Sequence, residues 1–187
     1  MSRSVIIRLA IFSLIVVVSA GCSLAPPKGF PTADNVDLDR FMGNWYVIAH
    51  IPPSKTKNAY NEIERYTRGD DADTVNVKFT YHEGGFDGQQ KTMRPWATVL
   101  DDPSNALWAM HFYYVLRLQY VISYVSPDYD TTIIARDKKD FVWIMARTPK
   151  IDDATYRSLV DRVKDIGYDT SELRKVPQQS LSERDDL

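Results

Sequence analysis

The chain has 187 residues, which is room for one ordinary domain whose core needs no disulfide bonds. Its 23 basic and 25 acidic residues give a formal net charge of −2, so it lacks the basic excess of nucleic-acid-binding proteins, and we expect no nucleic-acid partner. A single cysteine excludes a disulfide framework, and 12% aromatic residues favour a protein made of β-strands.

The N-terminus has the order of a secretory signal. Arg3 and Arg8 precede an apolar run over 9–20, and small residues then lead to Cys22. The run is too short to span a bilayer comfortably. We therefore predict that residues 1–21 are a signal peptide.

The residues around the cleavage point indicate lipidation. The segment VSAGC, ending at Cys22, resembles a bacterial lipobox, whose cysteine receives a diacylglyceryl group, and Ser23 resembles a signal for sorting to the outer membrane. The resemblance implies a lipoprotein anchored through Cys22 to the outer membrane and facing the periplasm. The alternative is an ordinary secretory cleavage that leaves Cys22 as a free thiol.

Short apolar segments separated by turn signals follow the N-terminal region, which is the pattern of an antiparallel sandwich or barrel. We predict strands at 43–50, 61–67, 74–82, 89–100, 105–114, 118–125, 129–136 and 140–148. Eight strands with mainly short connections predict an all-β, up-and-down antiparallel barrel, because closure leaves no exposed sheet edge.

One helix is predicted after the barrel, at about 152–166. Its apolar residues recur at helical spacing: Tyr156, Leu159, Val160, Val163 and Ile166. Asp152 or Asp153 is the expected N-cap and Gly167 the C-cap. We expect this helix to pack outside the barrel and cover strands five and six, whose two faces are both apolar. The chain then divides into a signal peptide at 1–21, a lipidated flexible tether at 22–34, a barrel domain at 35–178 and a disordered tail at 179–187.

Two motifs stand one barrel length apart. Gly43-Asn44-Trp45-Tyr46 opens the first strand, and Arg147-Thr148-Pro149 ends the last one. An eight-stranded barrel with these motifs and a following helix resembles the lipocalins, and within them the bacterial outer-membrane lipoproteins of the Blc type, which are related to apolipoprotein D. The likeness covers about residues 34–178. Asp128-Tyr129 matches the family's middle T-D-Y motif, with Pro127 in place of the threonine.

The tryptophan and the arginine have a structural use in such a barrel. A barrel becomes a cup when one end is plugged, and an indole crossed by a guanidinium fills that end while their cation–π contact adds about 0.5–2 kcal/mol. We therefore predict that Trp45 and Arg147 form a barrel plug that serves stability more than ligand contact.

Strand parity proposes which residues line the cup. If Trp45 faces inward, Val47 and Ala49 do so too. By their own alternation, the lining also includes Val75, Val77, Phe79, Tyr81, Phe141, Trp143 and Met145. The resemblance adds Glu64, Tyr66, Met93, Leu107 and His111 as inward, ligand-binding positions. It leaves Trp96 and Trp108 facing outward.

A polar group inside an apolar cup needs a partner or the headgroup of a ligand. We hypothesise that Glu64 or His111 meets the polar end of a fatty acid or lysophospholipid near the mouth. The alternative is that His111 bonds a neighbouring tyrosine and Glu64 lies in solvent. The function that follows is to bind, store or transport an apolar ligand in the bacterial envelope.

Signatures of catalysis and of metal binding are missing from the sequence. It has no Gly-rich phosphate loop and no G-x-S-x-G elbow, and His50, His82 and His111 lack the spacing of metal ligands. The acidic run at 70–73 lacks the glycine and glutamate of a calcium loop. We expect no catalytic residue, no metal and no cofactor.

Two other classes stay open from sequence alone. One is a lipocalin-like enzyme acting on a lipid or isoprenoid, with Glu64 and Tyr66, Tyr81 or His111 as acid and base. The other is a structural envelope lipoprotein whose cup is incidental. The sequence also leaves open whether two barrels form a homodimer.

Overall fold

The computed structural model describes residues 24–113 and 115–184, so the predicted signal peptide and Cys22 lie outside the described residues. Within that part the chain forms ten strands and two α-helices. The strands are β1 (Gly43–Ile51), β2 (Ala59–Arg68), β3 (Thr74–Glu83), β4 (Gln90–Met93), β5 (Trp96–Val99), β6 (Leu107–Phe112), β7 (Leu116–Val125), β8 (Thr131–Ala135), β9 (Val142–Ala146) and β10 (Arg174–Lys175). The helices are α1 (Leu38–Phe41) and α2 (Asp153–Ile166).

Antiparallel pairing from β1 to β9, with β1 pairing again with β9, closes the sheet into a barrel. The short strands β4 and β5 share one barrel position, because both pair with β3. They are separated at Arg94 and Pro95, where the proline has no N–H to donate. The single strand predicted over 89–100 is therefore wrong in this detail. The predicted fold, an eight-stranded antiparallel barrel with one C-terminal helix outside, is confirmed.

The helix α2 packs on the outer surface of the barrel. The carboxylate of Asp152 accepts the first free N–H groups, and Gly167 ends the helix with φ +99°, so both predicted caps are confirmed. Leu159, Val163 and Ile166 are buried in a cluster with residues of β1, β8 and β9. The helix thus covers these strands and contacts β7 at Tyr124, whereas β6, the other strand that we expected it to cover, is not in this cluster. No helix among the described residues is both long enough and apolar enough to cross a bilayer.

The C-terminal segment fills a gap between β1 and β2. β10 pairs with β1, and the carbonyl of Pro177 accepts the N–H of Asn61 from β2. Gln179 exchanges hydrogen bonds with the same asparagine, and buried Arg184 donates to its carbonyl at 3.1 Å. The part of the tail that is described, up to Arg184, is therefore bound to the barrel, which corrects the predicted disorder from residue 179.

The described part of the predicted tether also lies against the barrel. The carbonyl of Leu24 accepts a hydrogen bond from the Gln119 side chain at 3.0 Å, and Ala33 donates to the carbonyl of Ile122 at 2.8 Å. Phe30 packs against the apolar cluster beneath α2. Residues 24–34 therefore run along β7 and are not the free linker that their prolines indicated, because the barrel supplies partners for their backbone groups.

Candidate functional site

Trp45 and Arg147 lie together at the end of the barrel where β1 begins and β9 ends. The guanidinium carbon of Arg147 is 3.8 Å from the centroid of the buried Trp45 ring, so the predicted cation–π contact is present. The indole N–H of Trp45 donates to the carbonyl of Phe41 at 2.8 Å. The guanidinium donates to the carbonyl oxygens of Arg40, Phe41, Asn44 and Tyr129. The Arg147 side chain thereby joins the end of the last barrel strand to the segment over 40–44 and to Tyr129.

The surrounding motif residues fit around this guanidinium. Burial lowers the pKa of Arg147 to about 10, with Asp130 acting in the opposite direction, so the group stays charged at neutral pH. Gly43 has φ +98°, and a Cβ there would lie 3.3 Å from Nη1 of Arg147, which explains the glycine of the first motif. The hydroxyl of Tyr129, from the middle motif, accepts the N–H of Asp37 at 2.8 Å. All three motifs therefore meet at one end.

A layer of aromatic rings fills the barrel above this end. The rings belong to Phe41, Trp45, Tyr66, Trp108 and Tyr120, and neighbouring centroids are between 5.0 and 5.8 Å apart. All five side chains are buried. We call this layer the floor of the cup.

The other half of the barrel, towards the end of β1, is the mouth of the cup. Phe79, Tyr81 and Met93 form a small cluster on its inner wall. Trp143 and Phe141 are half-buried, with centroids 6.1 Å apart. Deeper inside lie Val77 and Met145, with Tyr66 and Glu64 at the floor. The structure therefore brings these predicted lining residues together inside the barrel, and their contact with a ligand stays a prediction.

Leu107 and His111 face away from the cup, which corrects two predicted lining positions. His111 stacks on Trp96 with centroids 4.8 Å apart and contacts Thr98 Oγ1 at 3.2 Å, on the outer wall. Trp108, which was expected outside, is buried in the floor instead. The reason is that Trp108, Met110 and Phe112 bury more apolar surface than their alternating neighbours.

A bulge in β1 changes the lining near the mouth. The register with β9 shifts between Val47 and Ala49, so Ala49 packs beneath α2 and not inside the cup as predicted. His50 takes the inward position opposite Trp143. Its Nδ1 lies 3.0 Å from Oε2 of Glu62, and both side chains are fully buried, although their alignment is not that of a hydrogen bond.

Glu64 is the acid of the floor. The hydroxyls of Tyr66 and Tyr120 both donate to its Oε2, the latter at 3.2 Å. Burial raises the pKa of Glu64 to about 8; the hydrogen bond from Tyr120 lowers it and the charge of Glu62 raises it further. The carboxyl is therefore largely protonated at neutral pH. Both of these hydrogen bonds fall on Oε2, and Oε1 takes none from the described residues.

Sequence reasoning missed the inward His50 and Glu62 as well as Tyr120 in the floor. No local signal marked the bulge that turns His50 inward. Within residues 24–113 and 115–184, no three His, Cys, Asp or Glu side chains are grouped so that they could hold a metal ion. The cup thus offers apolar contact, hydrogen bonding from one neutral acid and two tyrosines at the floor, and the buried His50 and Glu62 pair nearer the mouth.

Comparison with known proteins agrees with this architecture. Residues 36–178 match the sequence model of the lipocalin-like domain. Over 160 residues the chain is 28% identical to temperature-induced lipocalin-1 of Arabidopsis thaliana, covering 81% of this chain and 84% of that one. Over 162 residues it is 26% identical to outer membrane lipoprotein Blc of Citrobacter freundii, covering 87% and 90% of the two chains.

A solved structure shows the same fold. Insecticyanin from the tobacco hornworm Manduca sexta superimposes with a TM-score of 0.63 at 19% identity, covering 84% of this chain and 88% of that chain. The domain match spans the whole barrel and its helix. The chain therefore belongs to the lipocalin family.

Proposed function

We propose that this lipocalin binds, stores or transports a fatty acid or lysophospholipid in the bacterial cell envelope, as a carrier and not as an enzyme. Membership of the lipocalin family supports a small hydrophobic ligand, and similarity to the outer membrane lipoprotein Blc supports the envelope. The observation that carries the proposal is the interior itself, an aromatic and aliphatic cup with one neutral acid, Glu64, at its floor.

The energetics suit a carrier that exchanges its ligand. Burying an acyl chain of about sixteen carbons gains on the order of 10 kcal/mol, and association costs reduce this to roughly micromolar affinity. A bilayer offers the acyl chain a similar gain. Lipid can therefore pass between the cup and a membrane in either direction.

Glu64 distinguishes the two ligand types. Its protonated carboxyl would donate from Oε1 to the carboxyl oxygen of a fatty acid that enters head first. A lysophospholipid has a large charged headgroup, which would stay at the mouth while only its chain reaches the floor. Replacing Glu64 with leucine should therefore weaken fatty-acid binding more than lysophospholipid binding, and Glu64→Gln, which keeps a donor, should weaken it less.

The mouth of the cup carries the apolar residues that are most exposed. At the tip between β6 and β7, Tyr113 is 74% exposed and Val115 is 89% exposed. Leu24 lies beside Gln119, only three residues into β7 from the same tip. A lipid on Cys22 would be attached two residues before Leu24, roughly 7 Å of chain. We propose that such an anchor holds the mouth near the bilayer.

Native mass spectrometry of the protein extracted gently from membranes tests the carrier. We expect the protein to carry a bound fatty acid or lysophospholipid, which is released chemically intact in the mass spectrometer. An empty cup that also fails to take up added lysophospholipid would favour a structural role, and chemical turnover of an added lipid would favour an enzyme. Either result would overturn the carrier.

The anchor is tested at Cys22. Wild-type protein should incorporate labelled palmitate and fractionate with the outer membrane, whereas Cys22→Ser should lose both properties. Ser23→Asp should move the lipidated protein out of the outer-membrane fraction. A mature chain whose Cys22 reacts with a maleimide has a free thiol and contradicts the anchor.

A further inference from the structure

A cleft lies on the outer wall of the barrel, away from the strands that α2 covers. Its volume is about 560 Å³. The residues that matter for its chemistry are Arg65, Thr67, Asn76, Lys78, Arg94 and Trp96. The cleft is separate from the cup, because Arg65 and Thr67 alternate along β2 with the inward Glu64 and Tyr66.

Two cations face each other across the strands of this wall. Arg65 of β2 lies directly opposite Lys78 of β3, an arrangement that destabilises a sheet when the charges are not compensated. Both side chains and Arg94 are exposed, and none of the three has a hydrogen bond or ion pair with another described residue. The carboxylates nearest to Lys78 along its own strand are Glu83, at the end of β3, and Asp73, just before β3 begins; each is five residues from Lys78, or roughly 16 Å away.

The interruption between β4 and β5 shapes the cleft. The carbonyl of Pro95 accepts the N–H of Val77 at 3.0 Å, so the chain stays attached to β3 while Arg94 stands at the rim. Trp96 forms a flat side of the cleft, and its ring is held in place by stacking on His111. The cross-strand pairs Thr67 with Asn76 and Asn76 with Trp96 place a hydroxyl and an amide in the same row.

We propose that this cleft binds a phosphate group, which comes from the headgroup of an anionic lipid or from a soluble phosphate compound. Guanidinium groups at Arg65 and Arg94 offer paired donors that match phosphate oxygens, and Lys78 adds a point charge. Thr67 and Asn76 add neutral donors. Because the whole chain carries a net charge of −2, the attraction arises from this local group and not from a general positive field.

Titration of the full chain in a neutral detergent tests the site. The signals to follow by NMR are the indole N–H of Trp96 and the side-chain amide of Asn76. Inorganic phosphate and dihexanoyl phosphatidylglycerol are the two probes, and we expect saturable shifts. Equal affinity for both probes identifies the phosphate group alone as the ligand, whereas tighter binding of the lipid identifies an anionic headgroup; both outcomes support the site.

Paired variants separate the cleft from general charge. Arg65→Gln with Lys78→Gln should weaken binding about tenfold or more, since two charge-assisted hydrogen bonds are lost. Arg157→Gln with Lys164→Gln removes the same charges from the exposed face of α2 and should leave affinity unchanged. Arg94→Gln gives an independent single change, and thermal unfolding checks that each variant is folded.

Three results would overturn the site. The first is the absence of a saturable shift with both probes, and the second is an equal loss of affinity in the α2 variant. The third is unchanged binding in folded Arg65→Gln/Lys78→Gln and Arg94→Gln proteins. The signals followed and the residues replaced all lie on the outer wall, so a lipid that enters the cup does not produce the predicted pattern, and the outcome is independent of the proposed carrier function.

Discussion

The two halves of the barrel interior use similar residues in different ways. In the floor, Trp45 and Trp108 are fully buried, and each indole N–H donates to a backbone carbonyl at 2.8 Å. Near the mouth, Trp143 is only half-buried, and its ring meets Tyr120 at 6.4 Å and Phe141 at 6.1 Å. An aromatic ring stabilises the fold when its edge packs against the protein and its polar atom has a hydrogen-bond partner there. A ring with one face uncovered by the protein is available to a ligand.

The same contrast applies to charged groups. Arg147, at the closed end, donates to four carbonyl oxygens and lies over the Trp45 ring, so its contacts are already made within the protein. Glu64, on the inner side of the floor, has both tyrosine hydroxyls on one oxygen and leaves the other free. We therefore propose that the boundary between structural and ligand-binding residues runs through the floor, with Glu64 on the binding side.

The largest expected effect is the loss of the plug. Trp45→Ala removes a fully buried ring together with its cation–π contact and hydrogen bond, and it should lower the unfolding free energy by about 3–5 kcal/mol. Affinity for a fluorescent fatty acid, measured well below the melting temperature, should change much less. Trp96→Ala, on the outer wall, is the matched control and should cost less stability. Unchanged stability with lost binding would make Trp45 a ligand contact.

A substitution at the mouth should weaken ligand binding more than it lowers stability. Trp143→Ala removes a half-buried ring that faces the cup, so we expect lysophospholipid affinity to fall about tenfold. The free energy of unfolding should fall less than half as far in Trp143→Ala as in Trp45→Ala. Displacement of a fluorescent lipid and urea unfolding measure the two quantities. If Trp143→Ala destabilises as much as the plug variant, the mouth is part of the core and the contrast fails.

The pH dependence of stability tests the protonated acid in the floor. Glu64 has an ordinary pKa of 4.5 when unfolded and a pKa of about 8 when folded, so the native chain binds its proton more tightly. Its contribution to stability is complete below the unfolded pKa and is lost as the pH rises from about 4.5 to about 8. Glu64→Gln should remove this loss, which urea unfolding at several pH values would detect. A difference between variant and wild type that is constant with pH would mean that Glu64 titrates in the fold as it does in the unfolded chain.

The barrel could be predicted from sequence because its signals are local. Strand alternation, turn residues and the two flanking motifs require only neighbouring residues, and they gave the strand order, the caps of α2 and the contact between Trp45 and Arg147. The N-terminal and C-terminal segments differ in this respect. Their places depend on hydrogen bonds to Gln119 and Asn61, which are distant in sequence. The prolines of the first segment therefore indicated a flexible tether, and the polar composition of the second indicated disorder.

Side-chain direction was the weak point for a physical reason. Because successive side chains alternate between faces, one extra residue in a strand reverses every position beyond it. The shift after Val47 therefore exchanged Ala49 for His50 inside the cup. A second register shift, in β2, lies beside Asn61. Asn61 has a φ of +50°, which asparagine tolerates, so this asparagine was the one available sequence signal of a register shift.

The smallest expected effect tests the direction of β6. His111 lies on the outer wall, where it stacks on Trp96, and burial together with Arg117 lowers its pKa. Phenylalanine keeps the ring that stacks on Trp96. His111→Phe should leave the fatty-acid affinity within about twofold of wild type, whereas Met110→His, one position away and inward, should weaken it. A large loss of affinity in His111→Phe with no loss in Met110→His would mean that the side chains of β6 point the other way, with His111 inside the cup and Met110 outside. That reversal would also move Trp108 out of the floor, and the division between a structural floor and a binding mouth would have to be drawn again.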